Sequence, residues 1–262
     1  MKKTLGCLRK ADEDFGLIGD GDAIAVGVSG GKDSMLLLKA LSLYRLFSKK
    51  DYSITAITIG PGMGFDPAPI EGYCKEEGIP FVFEDAGILE EAQRRNPDPT
   101  KPPCPLCAVL RRGALNNAAK QAGCNKVALG HHRDDALETF LMSMFYEGRL
   151  YTLEPKTYLS RTDITVIRPF LYLNEKHIIG AGRAEGLPIQ PSVCPFDGHT
   201  TRQHMKELLK ELRNWVPRAD EMMFRALRNT KSYHLWDRSQ APPATEGAQA
   251  DAGEKEERHE RQ

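Results

Sequence analysis

Apolar and polar positions along the chain alternate between short unbroken apolar runs and longer stretches with helical spacing. AIAVGVS, Ala23 to Ser29, is nearly all apolar and reads as a strand buried on both faces. SMLLLKALSLYRLF then reads as a helix, and SITAITI, rich in β-branched residues, as a second strand. A turn rich in glycine and proline, GPGMGFDPAP, leads into a predicted helix over Asp66 to Lys75. IPFVFED is a third strand, Pro105 to Gly123 a helix, and NKVALGHH contains a fourth strand followed by the helix ALETFLMSMFYEG. DITVIRPF is the predicted fifth strand and EKHIIGAGRAEG the helix after it. This alternation predicts an α/β fold, a parallel five-stranded sheet with helices on both faces. Ligands of such folds sit at the carboxyl ends of the strands, beside a reversal of strand order.

One such end carries SGGKDS, Ser29 to Ser34. Gly30 and Gly31 let the backbone turn tightly and approach an anion. Amides from Ser29 through Ser34 then form a nest at a helix N-terminus. Ser29 and Ser34 add hydroxyl donors, Lys32 adds charge, and Asp33 offers magnesium an oxygen. The bland alternative is a Ser-Gly-Gly turn that only caps a helix; the position directly after a buried strand weighs against it. The kinase-like loop G-x-x-x-x-G-K-S/T has a longer span between glycine and lysine and no aspartate after the lysine.

A second group is PPCPLCAVLRRGALNNAA, Pro102 to Ala119, where Cys104 and Cys107 form a Cys-x-x-Cys pair at a helix start. A helix N-terminus favours the thiolate. The pair is open to three readings: a redox couple, half of a zinc site, or part of an iron–sulfur site. Zinc would need two further ligands, and no second Cys-x-x-Cys exists. Cys194, flanked by prolines in IQPSVCPFDGHTTR, is the other cysteine in a comparable setting. Three thiols can hold a four-iron cluster with one iron open. Cys74 and Cys124 read as buried inert thiols, and Cys7 as an exposed one without an assigned role.

The third group, ALGHHRDDALETFLMSMFYEGRL, puts Gly130, His131, His132, Asp134 and Asp135 at a strand-to-helix junction over the same crevice. Either aspartate can hold magnesium or position a reacting group, or can simply cap the helix through Leu137. Adjacent histidines lack the four-residue spacing of a zinc pair on one helix face and are not read as metal ligands.

Composition adds limits. The chain has 262 residues, 40% of them hydrophobic and 27% charged, as in globular proteins. No apolar run approaches the length that spans a bilayer, and the N-terminus lacks a secretory pattern, so a cytoplasmic protein without a membrane partner is expected. Its six cysteines then read as thiols or metal ligands. From Asp237 onward the chain is poor in apolar residues, and residues 237–262 are predicted to be a disordered tail. The rest, residues 1–236, is expected to be one domain. The formal net charge is zero, but the acidic tail leaves the body slightly basic, with clusters at Arg94–Arg95, Arg111–Arg112 and Arg202–Arg213. The last of these is a candidate for nucleic-acid backbone contacts.

SGGKDS resembles the pyrophosphate loop of the ATP pyrophosphatases, which split ATP between the α- and β-phosphates and adenylate a substrate oxygen. Taken with PCPLCAVLRRG, ALGHHRDDALET, MFYEGRL and VIRPF in that order, it resembles the tRNA 2-thiocytidine synthetase family over roughly Leu8 to Asn229. The resemblance implies a Rossmann-like adenine nucleotide α-hydrolase fold. It implies adenylation of the C2 oxygen of an anticodon-loop cytidine and its replacement by sulfur, with ATP, magnesium and a 4Fe-4S cluster. By position, Cys104, Cys107 and Cys194 would hold the cluster and Ser29, Gly30, Gly31, Lys32, Asp33 and Ser34 the ATP phosphates. Asp33, Asp135 and Arg111 would be catalytic. Gly130, His131 and Asp135 would line the nucleotide site, as would Ile59 in TIGPGMGFDPAPIEGYC, the segment assigned to the adenine pocket. Partners would be tRNA and a sulfur donor, either a cysteine desulfurase or sulfide, and the family's common assembly is a homodimer. In many members the third cysteine directly follows proline; here Ser192 and Val193 intervene after Pro191, which matches another branch of the family. Relatives that make 2-thiouridine carry zinc-finger cysteine pairs at both ends, which this chain lacks. Two alternatives stay open: a nucleotide-binding iron–sulfur redox sensor, and a sulfurtransferase acting on 2-thiouridine or on a non-tRNA acceptor.

Overall fold

The structure, a computed structural model, describes residues 1–62, 64–96, 98, 102–196, 198 and 200–229. Residues Met1–Phe224 form one compact unit; a second begins at Arg225, and residues 225–229 of it are described. In chain order the elements are α1 (Lys2–Phe15), β1 (Asp22–Gly27), α2 (Lys32–Arg45), β2 (Tyr52–Gly60), α3 (Ala68–Glu76) and β3 (Phe81–Asp85). Then follow α4 (Ile88–Arg95), α5 (Cys104–Gln121), β4 (Lys126–Ala128), α6 (Arg133–Glu147), β5 (Lys156–Leu159) and β6 (Ile164–Ile167). Helices α7 (Glu175–Ala184), α8 (Thr201–Trp215) and α9 (Ala219–Arg228) complete the described chain.

The described strands form one sheet in the order β3-β2-β1-β4-β6-β5. The chain winds outward from β1 to β3, then returns to place β4 on the other side of β1. The strand order therefore reverses between β1 and β4, and a crevice opens there. All pairings are parallel except β5 with β6. That hairpin corrects the sequence expectation: the sheet has six strands, not five. KTYL is short and half-exposed along an edge, so it lacks the apolar run that revealed the other strands. The predicted fifth strand is the inner partner of this hairpin and ends at Ile167, before RPF.

Two apolar layers enclose the sheet, and the two-residue period of β1 sorts its side chains between them. Ile24, Val26 and Val28 join Leu8, Leu36, Leu37 and Leu41 in one layer; Ala25 joins Ile57, Leu115, Ala119 and Val166 in the other. Helix α2 is buried on most sides because α1 and α7 cover the face it turns away from the sheet. Each fully buried leucine there contributes roughly 1.5–3 kcal/mol. This packing fixes the position of the first turn of α2, which carries Lys32, Asp33 and Ser34. Among the described residues no helix is long and apolar enough to cross a membrane. The predicted tail from Asp237 lies outside the described residues.

Candidate active site

β1 stops at Gly27, and the chain enters α2 through Ser29, Gly30 and Gly31. The loop is held by its own hydroxyls: Ser29 N donates to Ser34 Oγ at 3.1 Å, and Ser34 Oγ donates to the Gly31 carbonyl at 3.0 Å. No side chain caps α2, so its first-turn amides face the crevice with the positive end of the helix dipole behind them. Gly30 has a φ of 78°, and a Cβ there would come within 2.7 Å of Gln190 Oε1. Gln190 N donates to the Gly30 carbonyl at 2.9 Å, which lays the segment after α7 on the loop. Sequence reasoning gave Gln190 no role, because nothing in LPIQPS marks a contact with a loop so distant in the chain.

Lys32 Nζ stands 3.1 Å from Asp33 Oδ2 and 3.2 Å from Glu175 Oε1. Burial pulls its ammonium down, but the two carboxylates outweigh that and hold it above its ordinary value. The other Asp33 oxygen, Oδ1, is buried without a hydrogen-bond partner. His132 Nε2 lies 3.7 Å from this oxygen and 3.4 Å from Asp135 Oδ2, so two carboxylates from different elements flank one imidazole. An orphaned carboxylate oxygen with a second carboxylate nearby is a donor set that fits magnesium, a hard cation taking few protein oxygens beside phosphate.

The junction after β4 also resolves the two aspartates. His132 is the N-cap of α6 and accepts from Asp135 N, while Asp135 Oδ2 accepts from His132 N at 2.8 Å. This is a reciprocal capping box with histidine in place of serine. Asp134 turns away: it accepts from Glu175 N at 2.8 Å and pairs with Arg213 at 2.8 Å. Asp135 is thus the crevice carboxylate and Asp134 a tertiary anchor. Gly130 lies directly on α2; a Cβ there would stand 2.9 Å from the Asp33 carbonyl carbon and 3.1 Å from Ser34 N. Both are backbone atoms in a packed helix and cannot yield cheaply. Gly130→Ala is therefore expected to weaken ATP binding by at least about tenfold, at about 1.4 kcal/mol per decade, as read by calorimetric titration.

His131 is half-buried beside these groups, with its Nδ1 buried and unpartnered. Burial, opposed by Asp135 and aided by the charges of Arg168 and Arg202, pushes its pKa down to about 4, so the ring is neutral at physiological pH. Glu138 goes the other way: burial, with Asp135 adding and Arg202 opposing, raises it to about 7. Arg202, at the start of α8, lies 3.3 Å from Glu138 Oε2 and 3.6 Å from Asp135 Oδ1. Lys206 pairs with Glu175 and Arg213 with Asp134. Three of the basic side chains of α8 are therefore paired with the protein's own carboxylates while staying partly exposed. Ile59, at the end of β2, is buried within the second apolar layer.

Cys104 opens α5 and Cys107 follows one turn later, on the same helix face. Both are partly exposed, as is Cys194. Burial raises both α5 thiols; the proximity of Cys194 raises them further, while Arg111 pulls Cys107 back down. The expected depression at the helix N-terminus is thus overturned: desolvation outweighs the helix dipole. Cys194 is close enough for its charge to act on both other thiols, so the structure gathers the three cysteines into one neighbourhood. Gln190 lies on Gly30, and the four-residue step from it to Cys194 spans at most about 14 Å. The thiols therefore open onto the same end of the sheet as the phosphate loop. Among the described residues no group of three or more His, Cys, Asp or Glu converges on a single metal ion. Tetrahedral zinc would hold sulfurs about 3.8 Å apart, given its 2.3 Å bonds; a four-iron cluster spreads its thiolates wider. Three neighbouring, partly exposed thiols fit that group and its one open iron. Cys74 and Cys124 are buried, as expected. Cys7 is not exposed as expected; it packs partly buried against the first apolar layer, since α1 turns it inward.

A parallel sheet reversing at β1/β4, an uncapped helix behind SGGKDS, and the Asp33–His132–Asp135 group together define a PP-loop nucleotide-binding protein. Consistent with this, the PP-loop domain family matches residues 9–188. The tRNA-cytidine(32) 2-sulfurtransferases of Geobacter metallireducens and Geobacter sulfurreducens are 41% and 39% identical to this chain, each covering 90% of it and 93% of the relative. The chain belongs to the tRNA-cytidine 2-sulfurtransferase family of PP-loop proteins. Among solved structures, the U34-tRNA thiolase NcsA from Methanococcus maripaludis with its 4Fe-4S cluster shares the fold, with a TM-score of 0.71 and 21% identity over 90% of this chain and 79% of that one.

Proposed function

We propose that this protein is an ATP-dependent tRNA-cytidine 2-sulfurtransferase of the cytoplasm. It adenylates the C2 oxygen of an anticodon-loop cytidine, the one numbered 32 in its relatives' names, and replaces that oxygen with sulfur, releasing pyrophosphate and AMP. Ser29 through Ser34 cradle the ATP phosphates with backbone amides and the Lys32 ammonium. Asp33 and Asp135 would hold magnesium, which would supply charge neutralisation at the phosphates. Gly130 and His131 line the nucleotide crevice, and Ile59 backs the adenine side. Cys104, Cys107 and Cys194 would hold a 4Fe-4S cluster, which would supply an iron without a protein ligand for sulfur chemistry. Arg111, one turn beyond Cys107, stabilises negative charge on the reacting groups between thiols and crevice. A cysteine desulfurase or free sulfide supplies the sulfur, and the working form is a homodimer.

The observation that carries this reading is the orphaned Asp33 Oδ1 beside His132, whose ring also meets Asp135, at the same sheet end as the three gathered thiols. A redox sensor with a nucleotide site has no use for such a metal position. The test is AMP formation from ATP by the purified protein, with and without tRNA. AMP that rises with added tRNA is the expected result; ATP bound but never turned over would favour the sensor.

A further inference from the structure

Arg168 follows directly after β6, and nothing in the proposed chemistry uses it. Its backbone N donates to the Pro155 carbonyl at 2.9 Å. Its Nη1 donates to the Glu154 carbonyl at 2.5 Å and lies 3.4 Å from Thr157 Oγ1. Those contacts fix one edge of the guanidinium against the β5 hairpin. The Nε on its other edge is buried with no partner. Among the described residues no carboxylate makes an ion pair with Arg168; the Glu154 carboxylate, unlike its carbonyl, acts on it only from a distance. The residue as a whole is half-buried, but a buried Nε–H without an acceptor is costly unless a ligand completes it.

His131, at the neighbouring strand end, lies near enough for the charge of Arg168 to act on its ring. β4 and β6 run parallel with Ala128 opposite Ile167, and beyond the strand ends an isolated parallel bridge pairs His132 with Phe170, one residue out of that register. His131 and Arg168 therefore both sit at the carboxyl ends of adjacent strands, where open sheets bind ligands. His131 Nδ1 is also buried without a partner. The charges acting around the pair are those of Asp135 and Arg202 on the crevice side and Arg112 of α5 on the other. Exposed Tyr151 lies near enough to act on Arg168 as well.

We propose that Arg168 and His131 form a subsite for a phosphate ester, placed between the nucleotide crevice and α5. Two unsatisfied nitrogens, one on a fixed guanidinium, match the several acceptor oxygens of a phosphate. The neutral imidazole donates through Nδ1 in one of its tautomers. This inference rests on the functional reading above, which brings two phosphate esters here: the α-phosphate of ATP and the RNA backbone beside the target base.

The test measures binding of α,β-methylene ATP and, separately, of full-length tRNA to wild type, Arg168→Gln and Arg168→Lys. At least about a tenfold loss in one of the two affinities is expected for Arg168→Gln. A loss in the nucleotide arm assigns the α-phosphate. A loss in the RNA arm, with a shallower salt dependence by about one phosphate contact, assigns the backbone. Arg168→Lys keeps the charge but not the Nε, and is expected to lose at least about threefold in the same arm; it decides the matter if Arg168→Gln does not fold. A merely structural arginine would lower the melting temperature and leave both affinities within about twofold, which overturns the subsite alone. Wild-type protein that binds neither probe would overturn the functional reading, and the subsite with it.

Discussion

Asp33→Ala is expected to abolish tRNA-dependent AMP formation, by at least about 100-fold, while leaving the iron–sulfur chromophore of the reconstituted protein unchanged. The reason is local. Asp33 Oδ1 is a buried acceptor without a hydrogen bond, and Asp33 is the carboxylate that the phosphate loop itself presents. Alanine removes that oxygen and leaves Lys32 paired to Glu175. Asp135 is then left without a second carboxylate, and the proposed magnesium site would lose the one that the phosphate loop provides. A 100-fold loss corresponds to about 2.7 kcal/mol of barrier at 1.36 kcal/mol per decade. Folding is expected to survive, because the partnered oxygen, Oδ2, makes only a half-exposed contact with Lys32. Steady-state AMP release and the visible spectrum, taken on one preparation, read both halves of this expectation.

Cys194→Ala is expected to do the reverse. The cluster absorbance should vanish and thiolation fall by at least about 100-fold, while affinity for ATP stays within about twofold. Cys194 lies on the segment between α7 and α8 and contributes none of the Ser29–Ser34 amides proposed to hold phosphate. Its loss leaves Cys104 and Cys107, and two thiolates from one helix face do not enclose a four-iron cluster that needs three. Cys124→Ala is the control: a buried thiol in the second apolar layer, outside the neighbourhood of the three. Full thiolation by Cys194→Ala would refute the three-cysteine assignment.

These contrasting outcomes rest on features of unequal visibility. SGGKDS was legible because phosphate loops are local: a buried strand, two glycines and a helix start lie within a few residues. The parallel sheet followed from the apolar runs for the same reason. Strand β5 escaped because an edge strand buries little and KTYL carries no apolar run. The choice between Asp134 and Asp135 was not legible, since it is made by partners far along the chain, Arg213 and the backbone of Glu175. The thiol shifts reversed for a related reason. The helix dipole can be read from sequence, whereas desolvation depends on what packs against Cys104 and Cys107. The carboxylates that pair with Arg202, Lys206 and Arg213 come from other elements, so only the fold shows them. Arg168 was hidden inside a stretch read as strand.

The central claim is that this protein places sulfur on a cytidine of tRNA. Mass spectrometry of tRNA nucleosides, from cells with and without the protein, tests it most directly. The account expects 2-thiocytidine to disappear without the protein and to return with wild type but not with Asp33→Ala. Unchanged 2-thiocytidine, or loss of 2-thiouridine in its place, would contradict it.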